Sequence, residues 1–123
     1  MVGIEVNKMK NKVNILGTEY KIERHKAADD QKVANGCDGY CDTSVKLLVV
    51  EDIEPDPNSK ADLEAYAKQV LRHEIIHAFM YESGLDTCSL CVDGGWANNE
   101  EMVDWFSIQS PKIFKAFEEV GCL

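Results

Sequence analysis

Two histidines four residues apart, with a glutamate directly after the first, occur at His73-Glu74-Ile75-Ile76-His77. On an α-helix, positions i and i+4 project from one face about one turn apart, so His73 and His77 can reach one metal ion. Imidazole nitrogens suit zinc. The glutamate stands beside the ion without binding it, placed to take a proton from a water that the metal activates. The spacing points to a Zn2+ site with Glu74 as general base. A catalytic zinc site takes three protein ligands and keeps one position open. His25, the only other histidine, lies in a polar stretch near the N-terminus and is a poor third ligand. Glu100, Glu101 and Asp104 are better candidates. Glu100 and Asp104 share a helical face at i, i+4, so one can bind metal while the other accepts the free ring N–H of a ligand histidine. Glu101 has no acid at its own i+4 position.

These residues need elements to hold them. Val13-Asn14-Ile15-Leu16 and Tyr20-Lys21-Ile22 flank Gly17-Thr18 and read as a hairpin or bent strand. From Ala27 to Asp42 the chain is polar, with Asp29-Asp30 and Asn35-Gly36, and reads as a loop with short structured pieces. Ser44 to Glu51 carries Val45, Leu47, Leu48, Val49 and Val50 and reads as a buried strand that Pro55 and Pro57 end. Ser59 is expected to cap a helix from Lys60, with Asp62 in its first turn and Gly84 as its stop. Leu63, Tyr66, Val70, His73 and His77 recur at helical spacing, so the spacing predicts that both histidines face the interior. Burying them requires compensating partners, and a metal ion supplies one. After a loop from Cys88 to Trp96, Asn98 is expected to cap a second helix with Glu101 as its capping-box partner. Ser110-Pro111 is expected to end that helix and begin a third, whose apolar face is Ile113, Phe114, Phe117 and Val120 and which stops at Gly121. Trp96, Trp105 and the phenylalanines of the last helix are expected in the core.

The run Asn99-Glu100-Glu101-Met102-Val103-Asp104 resembles the Asn-Glu-x-x-x-Asp signature of the gluzincins, the thermolysin-like metallopeptidases. That resemblance implies Glu100 as third zinc ligand and Asp104 as the partner of His73. The stretch Glu100 to Pro111, with Val103, Phe106 and Ser107, is also similar to the helix after the metal motif in the ImmA/IrrE family of small metallopeptidases, many encoded by phages and mobile elements. The similarity runs from Leu63 to about Pro111. Val103 stands where that family has alanine, Ser107 follows Phe106 at its small position, and a cysteine-bearing loop separates the two motifs. The implied fold is α+β, one minimal zincin-like domain over residues 1–123. It has a small N-terminal β-sheet, an active-site helix and two C-terminal helices.

A chain of 123 residues suits a single core. Its net charge of −9, from 22 acidic and 13 basic residues, argues against a nucleic-acid backbone or an anionic membrane as main partner and is compatible with a cationic or peptide partner. No apolar run is long enough for a bilayer span, and Met1 to Lys12 lacks the apolar core of a secretory signal. The expected location is the cytoplasm, where thiols stay reduced, as the odd count of five cysteines also suggests. Cys88-Ser89-Leu90-Cys91 has C-x-x-C spacing and, with Cys37 and Cys41, would make a second, structural zinc site. The alternative is four loop thiols, and a redox protein lacks the βαβ surroundings such a pair needs. Cys122 reads as a packing or terminal thiol.

The resulting expectation is a zinc metallopeptidase acting on a protein or peptide substrate. Tyr40 and Tyr81 are candidate donors to the oxyanion, and the strand from Ser44 to Val50 is an edge on which an extended substrate adds. The competing expectation is a catalytically silent zinc-binding interaction or regulatory module of a phage or mobile element.

Overall fold

A computed structural model describes residues 9–88 and 99–123, apart from the side chains of Thr87 and Cys88. Strands β1 (Lys12–Ile15) and β2 (Thr18–His25) form the expected antiparallel hairpin, with Val13 opposite Tyr20 and Ile15 opposite Thr18. Its tight turn needs left-handed backbone, which Leu16 (φ 51°) and Gly17 (φ 94°) supply. The polar stretch that follows holds a 3₁₀ turn at Ala27–Asp29 and a single helical turn, α1 (Gln31–Ala34), capped by the Asp30 carboxylate. It also contains a strand the sequence conceals, β3 (Gly39–Asp42), antiparallel to β4 (Leu47–Glu51). Gly-Tyr-Cys-Asp has little intrinsic strand preference, so pairing with β4 rather than propensity makes it one. β4 starts later than Ser44 because Lys46 turns to φ 56° and Asp42 accepts the Ser44 N–H and hydroxyl.

The four strands run in the order β1-β2-β4-β3, with β2 and β4 parallel. β4 is the buried strand expected, with Leu48, Val49 and Val50 at most 1% exposed. Because β2 and β3 occupy both its sides, β4 has no free edge for a substrate, which corrects the expectation for residues 44–50. The open edge on that side belongs to β3.

Helix α2 (Leu63–Glu82) lies across the sheet. It begins three residues later than expected, because Asp62 is the cap, accepting the Ala65 N–H at 3.0 Å. Ser59 instead accepts the Asp56 N–H at 2.8 Å and closes the turn before the helix. Gly84, at φ 79°, stops the helix as expected. The buried face is Ala67, Val70, Glu74 and Ala78. It is rotated by about one residue from the stripe expected to face inward. Two alanines let the helix sit close on the sheet, with Ala78 packing on Ile15, Tyr20, Ile22 and Leu48, and Ala67 and Val70 on Val50. The histidines turn to the flank, yet their side chains are only 14% and 19% exposed.

Two helices follow, α3 (Leu85–Cys88) and α4 (Glu100–Glu119). Ser110-Pro111 does not divide α4, which runs through the proline. A proline removes the N–H owed to the carbonyl four residues earlier. Here that is the Ser107 carbonyl, which accepts Arg72 Nε at 2.6 Å instead. Asn99 caps α4, accepting the Met102 N–H at 2.8 Å, one residue after the expected cap Asn98, which lies outside the described residues. Val103, Ser107 and Ser110 are the buried residues of α4, and α2 is the element it packs on most. The expectation of a core Trp105 is wrong: it is 57% exposed, two residues from Val103 and so on the opposite face. Phe114 and Phe117 share the face of Val103 but lie beyond Ser110, the last buried residue of the helix, and are also exposed. Trp96 lies outside the described residues. Among those described, no helix is long and apolar enough to cross a membrane.

Glu82, the last residue of α2, receives Tyr20 OH at 2.7 Å, Lys46 Nζ at 2.9 Å and Thr18 Oγ1 at 3.1 Å. These donors, Tyr20 first, hold its carboxyl below the ordinary value of 4.5. A lowered acid contributes stability that is present above its unfolded-state value and lost as pH falls through the folded one. Glu82→Gln should therefore lower Tm at pH 7, with the gap to wild type closing below about pH 4.5. Thermal scans at both ends of that range check this, and an equal gap at pH 7 and pH 3 would refute it.

Candidate metal centre

The two histidines meet at their Nε2 atoms, 3.1 Å apart, with their rings edge to face. Asn99 starts α4 so that its first residue, Glu100, points back at α2. Glu100 Oε2 lies 3.0 Å from His73 Nε2, and Oε1 lies 3.0 Å from His77 Nε2. One turn further, Asp104 Oδ1 lies 2.7 Å from His73 Nδ1. The structure thus brings together His73, His77, Glu100 and Asp104, the residues singled out from sequence. Glu101 is exposed, and its neighbour Glu100 holds the position between the histidines.

The donor set fits a cation. Two ligands on one tetrahedral zinc, each about 2.0–2.1 Å from it, stand about 3.3 Å apart. The observed separations of 3.0 and 3.1 Å are close to that. A carboxylate at His73 Nδ1 selects the tautomer that carries its proton there, leaving Nε2 bare. A bare ring nitrogen, a second imidazole nitrogen and a carboxylate that converge so closely need positive charge between them. Glu74 is also within the spacing of a metal cluster with both histidines, all three ligand atoms lying within 4.8 Å of one another. Glu74 Oε2, however, is 4.0 Å from His73 Nε2, farther than Glu100. Glu100 is therefore the better third ligand on distance, although its side chain is exposed and that of Glu74 is buried.

Glu74 has only 6% of its surface exposed and is pushed up to about 7, chiefly by burial. The positive field of His73 opposes this shift, and the charges of Glu100 and Asp104 add to it. Burial likewise pulls His77 down, against the attraction of Glu100. A carboxyl titrating near neutrality is suited to accept and return a proton.

Glu74 lies at the floor of a cleft between β3 and the two long helices. One lobe, about 250 Å³, is lined by residues including Asp38, Tyr66, Gln69 and Asp104. The other, about 440 Å³, includes Cys37, Tyr40, His77, Tyr81 and Glu100. Gly39, His73 and Glu74 border both. Sequence reasoning missed the part played by β3. The one signal was Gly39 itself, since a glycine inside a strand marks close approach.

The remaining candidates stand apart. His25 is held between Asp30 (2.6 Å) and Glu23 (2.8 Å), away from the cleft. Cys37 and Cys41 join no cluster of metal ligands among the described residues, and Cys91 and the Cys88 side chain lie outside them. Cys41 is pushed up to about 12, first by burial and then by Glu74. Without a metal it remains a protonated thiol at neutral pH and a poor nucleophile. Cys122 is an exposed terminal thiol. Comparison of the chain with protein-family models, curated proteins and solved structures finds no match.

A Cβ on Gly39 would lie 2.6 Å from Val70 Cγ1 and 2.7 Å from the Val49 carbonyl oxygen. Overpacking against backbone costs about 1–3 kcal/mol. Gly39→Ala should lower the urea midpoint accordingly at an unchanged m-value, and an unchanged midpoint would show that β3 does not press on α2.

Proposed function

We propose that the protein is a zinc-dependent metallopeptidase acting on an extended, preferably cationic, peptide segment. The observation that carries this reading is the placement of the Glu100 carboxylate 3.0 Å from both His73 Nε2 and His77 Nε2. His73, His77 and Glu100 would hold the ion, and Asp104 would fix the tautomer and orientation of His73. Bound zinc supplies a lowered pKa for water and a Lewis acid for the peptide carbonyl.

The rest is the work of side chains. Glu74, buried and adjacent, takes the proton of the attacking water and returns it to the leaving amine. Of the two tyrosines considered as oxyanion donors, Tyr40 gives its hydroxyl to Asp30 at 2.6 Å. Tyr81 lines the lobe with His77 and Glu100 and is the hydroxyl left to donate. The substrate would add to the open edge of β3, not to β4. Glu51 donates its N–H to the Asp38 carbonyl at 2.7 Å, which sets the alternation of the antiparallel pair. Gly39 and Cys41 then turn their backbone groups to that edge. The described lining of both lobes has acids but neither lysine nor arginine, which favours basic residues in the peptide.

Glu74→Gln tests the reading. It should retain zinc by metal analysis and lose about 10²–10⁴-fold in cleavage of a Lys- and Arg-containing peptide library. A wild type that binds zinc and cleaves nothing in that library would overturn the peptidase reading in favour of a metal-binding module. Chelation provides a separate check on the metal. Removing an ion held at 100-fold above its Kd should cost about 2.7 kcal/mol of stability. A Tm that is unchanged after verified zinc removal would count against ligation by His73 and His77. Asp104→Asn should keep the fold and weaken zinc about 10–100-fold, measured by competition with a chromogenic chelator.

A further inference from the structure

Arg72, the residue before His73, is partly buried and makes no ion pair with a carboxylate among the described residues. Its Nε is spent on one backbone acceptor, the Ser107 carbonyl of α4, at 2.6 Å. That carbonyl is special in α4. Its partner within the helix would be the N–H of residue 111, and residue 111 is proline. Pro111 creates a vacancy and Arg72 fills it.

We propose that Arg72 and Pro111 form a register clamp that positions α4 on α2 and so sets the third ligand against the histidines. The geometry gives the clamp its reach. Ser107 is one turn from Asp104 and two from Glu100 along a rigid helix, about 10 Å in all. His77 meets Glu100, His73 meets Asp104, and Arg72 meets Ser107, so the two helices run antiparallel with three cross-links in order. Sliding α4 by one residue would move Glu100 by about 1.5 Å along the axis and rotate it by about 100°. Pro111 is the proline inside α4, so the Ser107 carbonyl is the one it frees for Arg72, and the bond favours one register. The serines at 107 and 110 pack closely but would allow sliding, since they offer no side-chain interlock. Arg72 is thus a positioning residue.

The zinc arm of the test rests on the metal-site reading above, and a stability arm does not. Arg72→Met keeps volume and removes the donor. Pro111→Ala returns an N–H to the Ser107 carbonyl and removes the need for Arg72. With Pro111 present, Arg72→Met should weaken zinc about 10-fold or more in chelator competition. In the Pro111→Ala background the same change should cost less than about twofold, by the double-mutant logic. Arg72→Lys should recover part of the affinity. Val103→Ala serves as control, because it loosens the same seam without touching the carbonyl. At matched loss of Tm, Val103→Ala should leave zinc affinity higher than Arg72→Met does. Equal losses in the two backgrounds, or equal losses for Val103→Ala and Arg72→Met, would overturn the clamp. The Tm values of the four Arg72/Pro111 combinations should be non-additive whether or not zinc binds. A wild type that binds no zinc, with that non-additivity intact, would sink the metal reading and leave the clamp standing. Should Arg72→Met not fold, the Arg72→Lys and Pro111→Ala pair carries the same cycle.

Discussion

The close antiparallel seat of α4 on α2 is the constraint on which the rest of the site depends. The donors of the cleft come from two helices that share no chain continuity within the described residues, and only packing sets their distance. Val103 and the buried Ser107 and Ser110 let the helix axes approach. A buried hydroxyl costs free energy unless it is bonded, and Ser107 Oγ meets that need within its own helix by donating to the Asp104 carbonyl at 2.8 Å. The seam is therefore narrow without carrying an orphaned polar group; among the described residues no buried side-chain nitrogen or oxygen lacks a partner. A bulkier residue at 107 would push α4 outward and open the 3.0 Å approach of Glu100 to both histidines.

The sheet side of α2 carries the opposite demand. Thr18, Tyr20 and Lys46 fasten Glu82 at its C-terminal end, and Asp62 caps its start. Between those anchors Ala67, Val70 and Ala78 rest on β1, β2 and β4. Glu74 belongs to this buried face, not to the histidine flank. Its carboxyl is consequently buried at the floor of the cleft, while His73 and His77 stand on the flank. One helix thus presents two environments a single residue apart. Burial raises Glu74, and the flank leaves His73 within hydrogen-bond reach of Asp104.

Residue types and spacing were enough to find His73, Glu74 and His77, the helix that bears them, the first hairpin and the central strand. Each of those signals is local. Glu100 and Asp104 were found because their i, i+4 spacing is also local, and their distance to the histidines was not. The reading failed where a local preference was overridden by a distant partner. Gly39-Tyr40-Cys41-Asp42 becomes a strand because β4 offers it hydrogen bonds. Pro111 stays inside a helix because Arg72, 39 positions earlier, accepts the role of the missing donor to Ser107. The inward stripe of α2 was misplaced by one position because two alanines outrank two larger residues when a helix must lie flat on a sheet. Trp105 was assigned to the core on hydrophobicity alone, although its offset from Val103 puts it on the outer face.

Three departures from ordinary secondary-structure preference fall around one cleft. A carboxylate sits on the sheet-facing side of α2, a proline lies within α4, and a glycine occupies the strand between them and the open edge. Each is unfavourable by itself: burying a carboxyl, losing a helical hydrogen bond and loosening a strand all cost stability. Local rules that fail together at one place mark a place where something other than stability shaped the chain. The three are also linked in space. Gly39 lacks a side chain where one would strike Val70 and approach the Glu74 Cγ to 3.5 Å, and so it leaves room for the buried carboxyl. Pro111 frees the carbonyl that Arg72 holds, next in sequence to His73. The chain therefore spends stability at the three positions that fix where Glu74, His73 and Glu100 stand relative to one another.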